Sequence, residues 1–213
     1  QALQNELPGR EIACIINQTL VDVDDPAFAD PSKFIGEIYD EARARLIAAE
    51  RGWTVKPDGT GWRRVVGSPA PREVVETRVR RVRHASGAGV VCAGGGGVPV
   101  VRTDGGRLEG VEAVVDKDHT AAVLAQALGA DALLILTDVA NVFRAFGTPD
   151  QEPIGRTTPP ELRGLGFPAG SMGPKVEAAC QFVESTGGLA GIGRLQDVRQ
   201  ILAGSAGTIV TTG

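Results

Sequence analysis

Lysine is scarce in this chain. Of the 22 lysine and arginine residues among its 213 residues, four are lysines, so arginine provides nearly all of the positive charge. The chain also lacks any stretch of the ~18 consecutive apolar residues that a membrane-spanning helix needs, and no signal-peptide pattern opens it. These absences argue against a membrane-spanning or secreted protein, and we expect a cytoplasmic one.

Cysteine and histidine are also few. Cys14, Cys92 and Cys180 are widely spaced, lie among apolar residues and form no C-x-x-C motif. His84 and His119 are the only histidines that could complete a metal site with them. We therefore expect buried, reduced thiols, and we name no residue as a metal ligand.

Negative charge is in slight excess. The net charge is −4 at pH 7 and the pI is near 5.3, which argues against a general nucleic-acid or anionic-membrane surface. We interpret the one local basic run, Arg78, Arg80, Arg81 and Arg83, as the solvated face of a helix. With 42% hydrophobic and 23% charged residues, the composition is that of a globular chain long enough for one large core.

Three of the four lysines lie in unusual local sequences. Lys33 is in ADPSKFIG, Lys117 in AVVDKDHTAA and Lys175 in AGSMGPKVEAA. A compact ammonium on a flexible stem can follow a phosphoryl group as its charge moves, whereas the planar guanidinium fork of arginine cannot. The alternative is a genomic bias towards arginine that left a few lysines behind.

The chain alternates between predicted strands and helices. We predict strands over 10–22, 89–94, 111–116, 130–138, 189–193 and 207–212, a loop over 95–100 and a hairpin over 139–155. We predict helices over about 40–51, from Pro71 to Gly87, over 121–128, from Pro174 to Gly187 and over 195–203. Because the strands are apolar rather than alternating, this order predicts an α/β fold with an open, mostly parallel sheet and helices on both faces.

One segment interrupts the alternation. Five of the nine aromatic residues lie between residues 23 and 71, among proline and aspartate turns: Phe28, Phe34, Tyr39, Trp53 and Trp62. We predict that this 23–71 segment has a small core of its own.

The unusual sequences fall where strands end, which is where ligands bind in such sheets. Glycines 94–97 would let backbone N–H groups converge on a phosphate, although a plain turn is an equally good interpretation. Asp118 would serve as a helix cap, which leaves Lys117 at the strand-to-helix junction. Lys175 lies in the first turn of its helix, where a cation is disfavoured unless an anion binds there.

Segments along essentially the whole chain resemble the carbamate kinases, of the amino-acid kinase superfamily. They are DDPAFADPSKFIG, GWRRVVGSPAP, VVCAGGGGVPVV, GVEAVVDKDHTAAVLA, ADALLILTDVANVF, GTPDQ, AGSMGPKVEAA and ILAGSAGTIV. The resemblance implies an open αβα sandwich in which the 23–71 segment protrudes, and a homodimer. It also implies reversible phosphoryl transfer between carbamoyl phosphate and ADP, giving carbamate and ATP with Mg²⁺, in arginine catabolism.

The resemblance also assigns roles to residues. Lys117 and Lys175 match the two lysines that neutralise the transferring phosphoryl group, and Asp118 matches the carboxylate that holds them. Lys33 matches the lysine that reaches over the substrate from the protruding subdomain. Substrate binding is assigned to Gly95 and Gly96 as well, and adenine-nucleotide binding to Asp138, Val142, Phe143 and Met172.

The chain departs from the family at its start. Family members begin with a strand and a glycine–asparagine phosphate loop, followed by an HGNG loop, and neither is present. We therefore expect a single amino-acid kinase domain, residues 1–213, that lacks its amino-terminal part and is poorly soluble alone. Smaller departures are Phe34 and Gly67 where proline is usual, and Asn17 where threonine is common.

Three functional hypotheses stay open. The chain belongs to an active carbamate kinase, or it is an inactive remnant that binds nucleotide or dimerises. A related kinase for an amino-acid carboxylate or a nucleoside monophosphate is disfavoured, because GWRRVV and DPAFADP resemble the carbamate branch in particular.

Overall fold

The computed structural model describes residues 1–78, 87–168 and 171–213. Within these ranges the strands are β1 (Ile12–Cys14), β2 (Gln18–Val21), β3 (Lys33–Tyr39), β4 (Thr54–Asp58), β5 (Gly61–Val66), β6 (Pro71–Val74), β7 (Gly89–Val91), β8 (Val98–Arg102), β9 (Leu108–Gly110), β10 (Ala132–Thr137), β11 (Val142–Arg144), β12 (Glu152–Ile154), β13 (Arg156–Thr157), β14 (Leu189–Arg194) and β15 (Thr208–Val210). The helices are α1 (Ala2–Glu6), α2 (Glu41–Arg51), α3 (Lys117–Leu128), α4 (Pro159–Gly164), α5 (Met172–Thr186) and α6 (Val198–Leu202). Short 3₁₀ turns cover Pro26–Phe28, Gly94–Gly96 and Leu195–Asp197.

The strands form open sheets. One has the order β10-β14-β15-β13 and another the order β6-β2-β8-β9, while β1 pairs with β7. The pairs β1–β7, β2–β8, β10–β14 and β13–β15 are parallel, and antiparallel partners such as β6 and β9 lie at the edges. The predicted α/β class is confirmed.

Strand β14 shows why helices cover both faces of its sheet. Successive side chains of a strand point to opposite faces. Ala190 and Ile192 pack in the core cluster with α3 and α5. Gly191, between them, faces the other way, where an added Cβ would lie 2.3 Å from Cγ2 of Ile201 in α6. Glycine at this position therefore lets α6 pack closely, and the sheet is the middle layer of an αβα arrangement.

Several predicted elements are confirmed with small changes of boundary. They are the helices α2, α3, α5 and α6, the strands β7, β10, β14 and β15, and the β11–β12 hairpin. Glycines set many of the helix ends: α2 stops at Gly52 and α3 at Gly129, both in the left-handed conformation.

Other predicted elements are wrong. Residues 10–22 form two short strands, β1 and β2, in different sheets rather than one strand. Pro71 opens strand β6 rather than a helix, and proline is tolerated there because β6 is an edge strand. The predicted loop over 95–100 runs into strand β8. Residues 111–116 are extended, but their one sheet-like contact is a bridge between Ala113 and Gly67.

Some predictions lie outside the described residues. The rest of the helix expected after Pro71 falls mostly on residues 79–86, as do His84 and the basic residues Arg80, Arg81 and Arg83. The first two residues of the motif AGSMGPKVEAA, 169–170, also lie outside the described residues.

The 23–71 segment contains a sheet of its own. Strands β3, β5 and β4 form an antiparallel sheet, against which α2 packs through Ala44 and Ile47. The side chain of Asp40 caps α2 by accepting a hydrogen bond from the Arg43 N–H at 2.8 Å. The predicted small core is therefore present.

The cysteines differ in exposure. Cys180 is fully buried, and this burial raises the pKa of its thiol to about 11. Cys92 is half-buried and Cys14 is exposed, so the expectation of three buried thiols is wrong for Cys14. It lies on a short strand that pairs only with β7.

Among the described helices, none has the length and apolar character to cross a membrane.

Candidate active site

Asp116 holds the amino terminus of α3. One of its carboxylate oxygens, Oδ1, accepts hydrogen bonds from the backbone N–H groups of Asp118 at 2.9 Å and of His119 at 3.3 Å. Asp116 is thus the helix cap, whereas the sequence had suggested Asp118 for this task. Because the cap is two residues earlier, the carboxylate of Asp118 is available for other partners.

Asp118 binds two of the predicted lysines. Its Oδ2 accepts a hydrogen bond from Lys175 Nζ at 2.9 Å and lies 3.5 Å from Lys117 Nζ. Asp118 is buried, and the side chain of Lys175 is 17% exposed while that of Lys117 is 61% exposed. One carboxylate therefore gathers two ammonium groups, one of them largely shielded from solvent, at the junction of α3 and α5.

Lys33 reaches the same region from strand β3. Its Nζ donates to Asp116 Oδ2 at 3.1 Å. Burial alone would raise the pKa of the Asp116 carboxyl, but the hydrogen bond and charge of Lys33, with the two backbone N–H groups, hold this pKa below its usual value. Asp116 is therefore ionised at neutral pH and connects the 23–71 segment to α3.

The glycine-rich loop packs against the start of α3. The carbonyl of Gly96 accepts hydrogen bonds from the hydroxyls of Thr19 at 2.7 Å and Thr120 at 3.1 Å, and its N–H donates to Ala93. Asn17 also holds the loop, since its Oδ1 accepts from the Ala93 N–H at 2.7 Å. The backbone groups of Gly96 thus bind protein partners, so Gly96 has a structural role in the loop, and its contact with substrate stays a prediction.

Gly95 remains a candidate substrate contact. A Cβ on Gly94 or Gly95 would meet nothing within 4 Å. This side of the loop therefore leaves room for a ligand, while Gly96 anchors the loop beside the lysines.

Gly96→Ala should unfold this loop or destabilise the protein. Gly96 has φ +89°, and an added Cβ would lie 2.1 Å from the backbone oxygen of Val115. We expect a loss of about 2 kcal/mol or more in the free energy of unfolding, measured by urea denaturation. Gly94→Ala is the matched control in the same loop and should change stability by less than about 1 kcal/mol. Equal effects of both substitutions would contradict the packing described here.

A cavity of about 720 Å³ adjoins the lysine cluster. Its lining is mostly apolar and aromatic, and it includes Phe143, Phe146, Phe167, Pro168 and Met172. The rings of Phe143 and Phe146 lie 5.9 Å apart between centroids. Lys175 also lines the cavity, so its ammonium lies where the apolar cavity and the charged cluster meet. The volume and lining suit a small organic ligand with an anionic end.

Three of the four residues that we predicted for nucleotide binding line this cavity. Asp138, Phe143 and Met172 line it. Val142 does not: its side chain is fully buried in the core, and its N–H donates to the hydroxyl of Thr208 at 2.9 Å. Val142 supports the cavity wall from behind, so we withdraw it as a nucleotide contact.

Sequence reasoning missed several functional positions. Asp116 lies in the motif AVVDKDHTAA, but the sequence did not identify it as the cap of α3 or as the partner of Lys33. Asn17 was noted only as a departure, although it holds the glycine loop. Phe146 and Phe167 were not singled out, and the signal that could have found them was their rarity, since the chain has six phenylalanines.

The described residues contain no group of three or more histidine, cysteine or acidic side chains arranged to hold a metal ion. Asp116 and Asp118 are engaged by lysines, which leaves Asp138 as the one carboxylate among the described residues that line the cavity. Mg²⁺ commonly binds through one or two carboxylates, waters and substrate phosphates. The donors therefore fit an ion held chiefly by nucleotide phosphates, and not one held by a protein cage.

These features together define an α/β domain in which three lysines gather around two aspartates at the start of α3, with an apolar cavity beside them. The sequence profile of the amino acid kinase family matches residues 42–190. A carbamate kinase of Rhizobium meliloti is 46% identical over 100% of this chain and 66% of its own length. A carbamate kinase of Haemophilus influenzae is 43% identical over 99% of this chain and 68% of its own length.

Solved structures agree. A carbamate kinase from Giardia lamblia, solved with AMP-PNP bound, superposes with a TM-score of 0.89 and 37% identity over 100% of this chain and 69% of that one. The chain belongs to the amino acid kinase family and, within it, to the carbamate kinases. It spans about two thirds of the length of these relatives.

Proposed function

We propose that the protein catalyses reversible phosphoryl transfer between carbamoyl phosphate and ADP, giving carbamate and ATP. The observation that carries this proposal is the placement of Lys175, which contacts Asp118 and lines the apolar cavity at once. A nucleoside in the cavity would direct its phosphates towards the lysine cluster. The names of the relatives support the choice of carbamate as the acceptor.

The chemistry requires little covalent participation by the protein. In the direction of ATP synthesis, an oxygen of the ADP β-phosphate forms a bond to phosphorus, and the bond from phosphorus to the carbamoyl oxygen breaks. The attacking ADP oxygen loses negative charge and the departing carbamate oxygen gains it, while the phosphoryl group carries its own negative charge from one to the other, and positioned cations stabilise this group throughout. Lys117 and Lys175, held by Asp118, are placed to bind the oxygens of the transferring group.

The nucleotide contacts follow from the cavity. Phe143, Phe146 and Met172 would pack against the base and sugar, and Asp138 lies on the same wall. Magnesium, when it accompanies the nucleotide, supplies further positive charge at the phosphates. The homodimer implied by the family resemblance stays a prediction.

A phosphorus NMR assay tests the proposal. The material is a completed protein, in which this chain is joined to the amino-terminal part of a carbamate kinase relative, because the chain spans about two thirds of the length of these relatives. We expect ATP to form from carbamoyl phosphate and ADP, and the reverse reaction to occur with carbamate. ATP formation from acetyl phosphate at an equal rate, or no ATP formation at all, would contradict the proposed substrate.

We also propose that the 23–71 segment closes over the substrate and that Lys33 is its contact. Lys33→Ala in the completed protein should then lower kcat/KM for carbamoyl phosphate roughly 10²-fold, because one stabilising cation is lost. ADP affinity, measured by calorimetry, should stay nearly unchanged. Lys56→Ala is the control, since Lys56 belongs to the same segment and pairs with Asp30 instead. A large loss of ADP affinity in Lys33→Ala would place Lys33 elsewhere.

A further inference from the structure

A short extended stretch, residues 112–116, receives the 23–71 segment; we call it the docking strip. Glu112 pairs with Arg64, and Ala113 bridges to Gly67. The N–H of Val114 donates to the carbonyl of Gly67 at 3.0 Å. The strip ends at Asp116, which binds Lys33 at 3.1 Å. These contacts tie the 23–71 segment to the residues immediately before Lys117 and Asp118.

The two ion pairs of the docking strip differ in their surroundings. Glu112 is mostly exposed, so its pair with Arg64 lies near solvent. Asp116 is mostly buried, and its two carboxylate oxygens serve different elements: Oδ2 binds Lys33, and Oδ1 caps α3. A shift of Asp116 would therefore move Lys33 and the start of α3 together.

We propose that Asp116 is a positioning residue that holds Lys33 by an ion pair and gives it up, in part or wholly, to the phosphate of the substrate. The inference rests on the proposed function, in which Lys33 meets the phosphoryl group. An ammonium has three donors and a flexible stem, so it can pass between two nearby anions. The Asp116 carboxylate competes with the substrate for Lys33. It also fixes the direction from which Lys33 approaches the phosphate of the substrate.

The chain carries its own reporter for this exchange. Both of its tryptophans, Trp53 and Trp62, lie in the 23–71 segment. The guanidinium of Arg64 stacks over Trp53 at 4.2 Å from the ring centroid and also pairs with Glu112 of the docking strip. A change in how the segment sits on the strip should therefore alter tryptophan fluorescence.

Asp116→Asn tests the proposal directly. Asparagine caps helices as well as aspartate does, so the variant should keep α3 while removing the charge that holds Lys33. Asp116→Ser, which also caps, is a second variant in case the first does not fold. Asp30→Asn is the matched control: Asp30 pairs with Lys56 at 2.7 Å, and Lys56 and Lys33 have equal side-chain exposure of 39%.

Inorganic phosphate is titrated into the completed protein, with this chain unchanged or carrying each variant, while tryptophan fluorescence is recorded. We expect Asp116→Asn to bind phosphate about two- to fivefold more tightly than the unchanged chain, the range expected when a partly exposed ion pair no longer competes. Asp30→Asn should bind as the unchanged chain does. In a Lys33→Ala background, Asp116→Asn should have no further effect on phosphate affinity.

Turnover supplies the second readout. In the completed protein, Asp116→Asn should lower kcat about tenfold or more while KM for carbamoyl phosphate falls, because Lys33 binds the anion but is held less well. Weaker phosphate binding by Asp116→Asn, an effect that persists without Lys33, or no fluorescence change with phosphate would overturn the proposal. The titration needs no ATP formation, so Asp116 can show the expected effect on phosphate binding even if the proposed reaction does not occur. Equally, ATP can form while the titration contradicts the role of Asp116.

Discussion

Lys175→Ala should lower kcat about 10²- to 10³-fold in the completed protein, with a much smaller change in ADP affinity. Lys175 is the lysine that joins the apolar cavity to the charged cluster, and its side chain is largely shielded from solvent. Its charge is needed most while the phosphoryl group is between its two partners, and the loss of one such donor commonly raises the barrier by about 3 to 4 kcal/mol.

The measurement is steady-state ATP formation together with calorimetric binding of ADP. Lys175→Arg should fail almost as badly, because a planar fork cannot occupy the position of the ammonium between Asp118 and the cavity. Lys56→Ala, which removes the one lysine outside the site, is the control and should keep full turnover. Unchanged kcat in Lys175→Ala would remove Lys175 from the proposed mechanism.

Asp118→Ala should affect both folding and turnover. The substitution removes the carboxylate that binds Lys175 at 2.9 Å and Lys117 at 3.5 Å, and leaves two ammonium groups facing each other without compensation. Removing one partner of a buried ion pair commonly destabilises a protein by about 3 to 5 kcal/mol, and we expect the lower end here because Lys117 remains solvated. Turnover should fall at least about 10²-fold, since both lysines lose their orientation.

A double variant separates the two effects. Asp118→Ala with Lys175→Met removes the uncompensated charge and should be more stable in urea denaturation than Asp118→Ala alone. Asp58→Ala breaks the pair with Arg63 inside the 23–71 segment, away from the cluster, and should cost about 1 kcal/mol or less. If Asp118→Ala were no more destabilising than Asp58→Ala, the central role of Asp118 would be wrong.

The sequence was most informative where a local rule decides the structure. Gly52 and Gly129 marked the ends of α2 and α3, because glycine accepts the left-handed conformation that ends a helix. The family resemblance implied that Asp118 holds Lys117 and Lys175, and the structure places both ammonium groups within 3.5 Å of its Oδ2. The cation in the first turn of α5 indicated a bound anion; in the structure Lys175 pairs with the carboxylate of Asp118, and an anionic ligand there stays a prediction.

Other features depended on tertiary contacts that the sequence does not reveal. The apolar character of residues 111–116 predicts a strand, but residues 112–116 contact Gly67 and its neighbours, far away in the chain, and form the docking strip. Val142 lies in a segment predicted to receive the nucleotide, but its side chain is fully buried in the core cluster formed with residues far away in the chain. The sequence could not decide between Asp116 and Asp118 as the cap, since both lie at the start of the same helix.

The central proposal is that Asp118 presents Lys117 and Lys175 to a transferring phosphoryl group. Its most direct test is the rate of ATP formation from carbamoyl phosphate and ADP by the completed protein and by its Lys117→Ala variant, with ADP binding measured in both. We predict rapid ATP formation by the completed protein and loss of at least about 99% of this rate in the Lys117→Ala variant. The two proteins should bind ADP with similar affinity. Equal rates in the two proteins would contradict the account.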